Sequence, residues 1–355
     1  MITEAHGNLL QAEVDALVNT VNTVGVMGKG IALQFARAFP AMLTDYEKAA
    51  KRGEVQLGKM HVWENNALAG PRLVINFPTK GHWRARSRLA DVEAGLADLV
   101  DVVRAYGIRS LAVPPLGCGS GGLRWEEVRP VIEKALAEVP GVDVRLYPPE
   151  GPPAAEAMVT DTRRPEWTPG KAALVDIVAQ YRERSVEVSL IEVQKLMYFL
   201  QEAGEPLKLK FAKGLYGPYA ENLRFVLLAV EGHFLRGFGD ASVPVMSAEP
   251  ITVMPGAAEE ARAELARHPG TVARIDRVVA LSDGFESAYG MELLATVHWL
   301  AIAGDGQAAG PESVAEQVAG WSARKRRMFG PDHVAAAWHQ LHDQGWLPAR
   351  VAPGG

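Results

Sequence analysis

The chain is 355 residues long, 48% hydrophobic and 22% charged, with a net charge of -5; at roughly 150 residues per domain this suits about two domains, each able to bury a core. The composition excludes global disorder, collagen-like repeats and coiled coil, and no uncharged apolar stretch approaches the ~20 residues of a membrane span. Residues 1–150 carry 17 Lys+Arg against 17 Asp+Glu and residues 151–355 carry 20 against 25, so the acidic excess lies in the second half and argues against nonspecific nucleic-acid binding through bulk positive charge.

In chain order, Ala16 to Val21 reads as a short strand, Gly30 to Ala38 as a helix cut by Pro40, and Lys59 to Trp63 and Leu73 to Phe77 as strands. From Arg86 to Tyr106, Leu89, Val92, Leu96, Leu99, Val103 and Tyr106 recur three or four residues apart, the stripe of a helix laid on a sheet. A strand at Ser110 to Val113, a helix at Trp125 to Val139 and a strand at Val142 to Leu146 follow. This order predicts an α/β domain, a mixed sheet between helices, over residues 1–150. Pro148, Pro149, Pro152, Pro153, Pro165 and Pro169 interrupt any apolar period, so 151–169 reads as a proline-rich linker.

Residues 170–355 read as a mostly α domain. Predicted helices run over Leu174 to Arg182, Leu190 to Ala203, Tyr219 to Phe234, Ala257 to Arg267, Val272 to Leu281, Met291 to Ala303, Val314 to Gly320 and Asp332 to Gln344. Ser189-Leu190-Ile191-Glu192 is a capping box, and Val243 to Met254 is a possible hairpin. The single cysteine, Cys118, permits no internal disulfide, and Met1-Ile2-Thr3-Glu4 lacks the basic and apolar regions of a signal peptide, so the expected setting is the cytoplasm with no membrane partner.

Two glycine-dense turns, Gly25-Val26-Met27-Gly28-Lys29-Gly30 and Gly117-Cys118-Gly119-Ser120-Gly121-Gly122, each fall between a strand and a helix. Such loops aim backbone N–H groups at an anion beside a helix N-terminus; the plainer reading is a tight turn needing positive φ. The first has Gly30 where a Walker A loop needs Ser or Thr. The second fits G-x-G-x-x-G, with Asp143 about 20 residues on, but only one strand remains before the prolines, against a dinucleotide fold. Two loops this dense in one sheet domain favour a phosphate cradle.

Val18-Asn19-Thr20-Val21-Asn22-Thr23, Met27-Gly28-Lys29-Gly30-Ile31-Ala32, Ile75-Asn76-Phe77-Pro78-Thr79-Lys80, Pro115-Leu116-Gly117-Cys118-Gly119 and Leu123-Arg124-Trp125 together resemble macrodomains over residues 1 to about 150. Phe77-Pro78-Thr79-Lys80 and Leu123-Arg124-Trp125 are similar to the branch that hydrolyses ADP-ribose from nucleic acid or carboxylates, nearest the DarG-type antitoxins of DarT–DarG systems. The resemblance implies an ADP-ribose cleft formed by Asn8, Leu9, Asn22, Met27, Gly28, Lys29, Gly30, Ile31, Thr79, Gly117, Cys118, Gly119, Ser120, Gly121, Gly122 and Leu123, with no cofactor. Asn8 stands where macrodomains usually place an aspartate near the adenine amine, and Asn22 matches the asparagine near the distal ribose.

Lys80 is the implied catalytic residue. A lysine after a strand is by default a surface charge; in a site, its free amine can attack an aldehyde or abstract a proton, or its ammonium can stabilise charge beside a diphosphate. Gly121 stands where human-type relatives carry an aspartate that resolves a covalent lysyl intermediate, a departure that bears on the covalent route. His82, Trp83 and Arg84, with Arg86 and Arg88, read either as a solvated helix start or as a contact for single-stranded nucleic acid. Cys118 reads as packing rather than nucleophile, and the 9 histidines form no H-x-x-x-H pair and there is no further cysteine, so no metal is expected.

In the second half, Gln194-Lys195-Leu196-Met197-Tyr198-Phe199-Leu200 and Tyr216-Gly217-Pro218-Tyr219 resemble Panacea-type antitoxin domains over part of 170–235. Arg324-Lys325-Arg326-Arg327 could grip DNA, and the helix ending at Gly345-Trp346-Leu347 suggests a winged-helix rival, but the net acid favours binding a toxin through a partly DNA-like surface. The resemblance thus implies an antitoxin that hydrolyses ADP-ribose from thymine in single-stranded DNA, releases ADP-ribose and neutralises a DarT-like toxin. The alternatives are a non-catalytic ADP-ribose reader fused to a DNA-binding or scaffolding domain, and an ADP-ribose 1″-phosphate phosphatase.

Overall fold

The computed structural model describes residues 1–67, 69–303 and 310–347. They fall into two compact units, Met1–Arg163 with Gly239–Val243, and Arg164–Phe238 with the residues from Pro244 onward.

Unit 1 is a mixed six-stranded sheet in the order β1 (Ile2–Glu4), β6 (Asp143–Leu146), β5 (Ser110–Val113), β2 (Ala16–Asn22), β4 (Leu73–Lys80), β3 (His61–Glu64). Neighbours run parallel except β3, which is antiparallel to β4. Strand alternation sorts the two faces. Leu73, Ile75 and Phe77 of β4 join Val92, Leu96, Val128 and Ile132 of α3 (Leu89–Ala105) and α4 (Trp125–Leu136), whereas Val74 joins Phe35, Met42 and Tyr46 of α1 (Gly30–Ala38) and α2 (Pro40–Lys51). β2 and β4 both end, at Asn22 and Lys80, on the same edge, with a register shift between Val21 and Asn22.

Pro40 ends α1 as expected but also opens α2, because the first helical position has no use for the missing N–H. Residues 151–163, within the stretch read as linker, pack on unit 1: Ala155 is buried, Val159 joins the α1/α2 core, and the Asp161 N–H donates to the Arg37 carbonyl at 2.8 Å.

Unit 2 is mostly helical: α5 (Pro169–Arg182), α6 (Leu190–Glu202), α7 (Leu223–Val230), α8 (Ala257–Leu265), α9 (Pro269–Leu281), α10 (Ala288–Ala303), α11 (Pro311–Trp321), α12 (Ala323–Met328) and α13 (Pro331–Asp343). The capping box at Ser189 and Glu192 is formed. Two expectations are corrected. Tyr219 to Phe234 is not one helix: Tyr219 lies in β8 (Gly217–Ala220), paired with β7 (Phe211–Gly214), because the Gln194 side chain bonds both backbone groups of Ala220, at 3.2 and 3.1 Å. Val243 to Met254 is not a hairpin: Thr252–Val253 pairs instead with Leu235–Arg236, upstream of that range.

The basic run is corrected too. Lys325 is fully buried, its ammonium 2.7 Å from Glu292, and Arg324 forks onto the same carboxylate, so half of the run is internal structure. Trp346 is likewise core, edge-on to Phe199 with ring centroids 5.3 Å apart. Among the described residues no helix is long and apolar enough to cross a membrane.

Candidate functional site

The site is built at the ends of β2 and β4. Asn22, buried, ties down the first glycine loop: its Oδ1 accepts from the N–H groups of Val24 and Val26, at 3.0 and 3.3 Å, and its Nδ2 donates to the Val26 carbonyl at 2.6 Å. Its main-chain carbonyl accepts from the Tyr46 hydroxyl at 2.5 Å. The second hydrogen on Nδ2 has no partner among the described residues. Met27 is buried beneath this loop, while Lys29 is exposed and precedes the α1 N-terminus. There the Gly30 N–H donates to the Asp240 carbonyl of the same unit at 2.9 Å, and Ile31 is half-buried.

The second loop presents the clearer anion cradle. Carbonyls of Gly117, Gly119, Ser120 and Gly121 all accept hydrogen bonds from within unit 1, from Leu123, Gly122, Lys80 and Ser87. The consecutive N–H groups of Gly119, Ser120 and Gly121 have no acceptor among the described residues. Successive amides left open in this way can receive phosphate oxygens. Gly117 needs glycine for its φ of +72°, and Gly121 for space: a Cβ there would lie 2.3 Å from Ser87 Oγ and 2.4 Å from the Gly117 carbonyl. An aspartate at position 121 is therefore sterically excluded.

Lys80 joins the two loops. Its carbonyl accepts from the Thr23 N–H at 3.2 Å, the Thr23 hydroxyl donates to the Gly81 carbonyl at 2.7 Å, and its Nζ donates to the Ser120 carbonyl at 3.3 Å. Burial lowers the Lys80 pKa below the usual lysine value, and no carboxylate opposes that shift. Thr79, next to it, is buried and bonded back to the Val21 carbonyl at 3.4 Å.

The remaining residues separate by role. Cys118 has its thiol pushed up to about 11 by burial and by Glu126, so it stays protonated and packs. Asn8 caps a short 3-10 turn: Oδ1 accepts from Leu10 N–H at 3.0 Å and Nδ2 donates to the Ala157 carbonyl at 2.7 Å, while Leu9 is buried. Both ends of the Asn8 amide are thus engaged within unit 1. Gly28, Gly122 and Leu123 lie in the two loops. His82, Trp83 and Arg84 form an exposed stack, the two rings 5.3 Å apart and the guanidinium 4.3 Å from the indole centroid.

Residues not singled out beforehand support the loops from beneath. Asn19 Nδ2 donates to Asn76 Oδ1 at 2.9 Å, and Asn76 Nδ2 meets His61 Nδ1 at 3.1 Å, so both strands carry a buried amide below the first loop. Both amides lie in motifs quoted from the sequence, but Tyr46 and Ser87 reach the loops only through the fold.

A Macro domain family model matches residues 18–132. The chain is 45% identical over 353 residues to the DNA ADP-ribosyl glycohydrolase of Mycobacterium tuberculosis, covering 96% of this chain and 99% of that protein. The solved macrodomain of Mycobacterium tuberculosis DarG is 59% identical, covering 42% of this chain and 99% of that one with a TM-score of 0.42. A DNA ADP-ribosyl transferase–glycohydrolase fusion protein of Thermosipho africanus is 35% identical over 158 residues, 40% of each chain. Because near-full-length identity reaches beyond the macro domain into the helical unit, the chain belongs as a whole to the DarG-type DNA ADP-ribosyl glycohydrolases.

Proposed function

We propose that this chain hydrolyses ADP-ribose from thymine bases of single-stranded DNA in the cytoplasm, a DNA repair step, and that its helical unit binds and neutralises a DarT-like DNA ADP-ribosyltransferase. The observation that carries the catalytic reading is the position of Lys80, fixed through Thr23 to the segment after Asn22 and through Ser120 to the second cradle. A ligand whose diphosphate lies on the free amides of Gly119 to Gly121 has its distal sugar within reach of a lysine held on the same loop.

Hydrolysis breaks the bond from the ribose glycosidic carbon to the base nitrogen, and water supplies the hydroxyl of the new C–OH while its other proton ends on the released base nitrogen. Negative charge develops on the departing base. The Lys80 ammonium is suited to stabilise that charge, and a diphosphate bound beside it holds the proton on despite burial. The aspartate that a covalent lysyl route requires has no room at Gly121, which favours the cationic role. His82, Trp83 and Arg84 offer a ring and cations for the unpaired strand.

The toxin-binding part rests on the charge excess of residues 151–355 and on the Thermosipho africanus fusion protein, which joins transferase and glycohydrolase names in one chain. An occupant of a DNA-binding cleft must offer it negative charge.

The test is a single-stranded thymine oligonucleotide carrying ADP-ribose, incubated with the full chain. Release of free ADP-ribose together with the unmodified oligonucleotide supports the reading. Tight binding of ADP-ribose without release would favour the non-catalytic reader.

A further inference from the structure

Ser87 lies in the turn between β4 and α3, 30 residues before Gly117, yet the second loop rests on it. Its N–H donates to the Gly121 carbonyl at 3.0 Å. A Cβ on Gly117 would lie 3.0 Å from Ser87 Cβ, and one on Gly121 would lie 2.3 Å from its Oγ. The residue is 6% exposed, and its hydroxyl is sealed from solvent without a hydrogen-bond partner.

Resting on the ADP-ribose site argued above, we propose that Ser87 is the positioning residue of the second loop, and that its buried hydroxyl is a donor which the loop takes up when ADP-ribose is bound. A buried hydroxyl without a partner destabilises the free protein, and such a group in a native fold calls for a state in which it is satisfied. The loop supplies that state. Its Gly119, Ser120 and Gly121 amides are open, so seating a diphosphate on them orders the loop that carries the two carbonyls beside Ser87: that of Gly121, which accepts the Ser87 N–H, and that of Gly117, which with Ser87 Oγ flanks the space a Gly121 Cβ would take. Each of those oxygens has a second lone pair. The Ser120 carbonyl also holds Lys80, so the height of the loop on Ser87 sets where the ammonium stands.

Two measurements on the full-length chain separate this role from simple packing. Ser87→Ala deletes only the unsatisfied oxygen. The free variant should melt at or above the wild-type temperature while its affinity for ADP-ribose falls about tenfold in calorimetry. A residue that merely packs would leave affinity unchanged, and wild-type affinity within twofold overturns the proposal. If the wild-type chain itself gives no binding heat with ADP-ribose, the site reading fails and takes this inference with it; wild-type binding with an indifferent Ser87→Ala defeats the inference alone.

Discussion

Lys80 Nζ donates to the Ser120 carbonyl at 3.3 Å, so the last side chain of β4 is held by the loop that offers three free amides to an anion. In the proposed site, binding and chemistry would therefore share the Ser120–Gly121 peptide. Burial lowers the pKa of this lysine in the free protein, and nothing acidic counters it.

The pH profile follows from that shift. Below its lowered pKa Lys80 is an ammonium, and above it a neutral amine. With the cation as the working form, turnover should fall as pH rises through that pKa. A bound diphosphate favours the charged form, so the alkaline limb should lie at higher pH in kcat than in kcat/KM, since the first reports the complex and the second the free protein. Activity that climbs along this limb would identify the free amine as the active form.

Trp83 should matter for DNA and not for ADP-ribose. It is 44% exposed and bears His82 and Arg84 on its ring system rather than any part of the glycine loops. Trp83→Ala should raise KM for a modified oligonucleotide severalfold, in line with the roughly 1–3 kcal/mol of a base–aromatic stack. Calorimetric affinity for free ADP-ribose should not change. An equal loss on both ligands would place Trp83 in the nucleotide cleft instead.

Acid should loosen the helical unit through His298. Its Nε2 lies 3.2 Å from the Trp346 carbonyl and so carries the hydrogen, leaving Nδ1 to accept from the Tyr198 hydroxyl at 2.8 Å. Burial lowers its pKa to about 4. A depressed folded pKa means that the unfolded chain, titrating near 6.5, binds the proton first. Stability is then unaffected above that value and declines as pH falls toward 4, by up to ~3 kcal/mol. Thermal scans should show the loss in the wild type and a flatter dependence in His298→Asn. Parallel curves would assign the acid sensitivity elsewhere.

Inhibition of a DarT-like toxin should weaken as salt rises, because charge complementarity mainly speeds association and is screened. Single-stranded DNA should compete with it. The Lys80→Ala chain should still protect cells by sequestration. A salt-independent complex indifferent to DNA would remove the charge excess of residues 151–355 from the account.

What could be read beforehand was what is local. The α3 stripe of Val92, Leu96, Leu99 and Val103 is long and periodic, and it packs as its spacing predicts; only Tyr106, at the end of the stripe, is exposed. β1 is three residues long and too short for a period, and α2 was hidden because Pro40 both ends one helix and starts another. The glycine loops and Lys80 lie in contiguous motifs. Ser87 and Tyr46 do not: they meet Gly121 and Asn22 across 34 and 24 residues, and only the packed sheet brings them there. In the second half, β7 and β8 were read as part of a helix or not at all, since what holds them is the Gln194 side chain and the burial of Lys195 against the Pro218 carbonyl at 2.6 Å. No sequence period records such contacts.

The most direct test compares Lys80→Ala and Lys80→Arg with the wild type, using the full chain and an ADP-ribosylated single-stranded oligonucleotide, with calorimetry on free ADP-ribose alongside. The account predicts that Lys80→Ala releases no ADP-ribose while its affinity stays within about tenfold, or 1.4 kcal/mol, and that Lys80→Arg keeps part of the activity because it keeps the charge. Wild-type release by Lys80→Ala would contradict it.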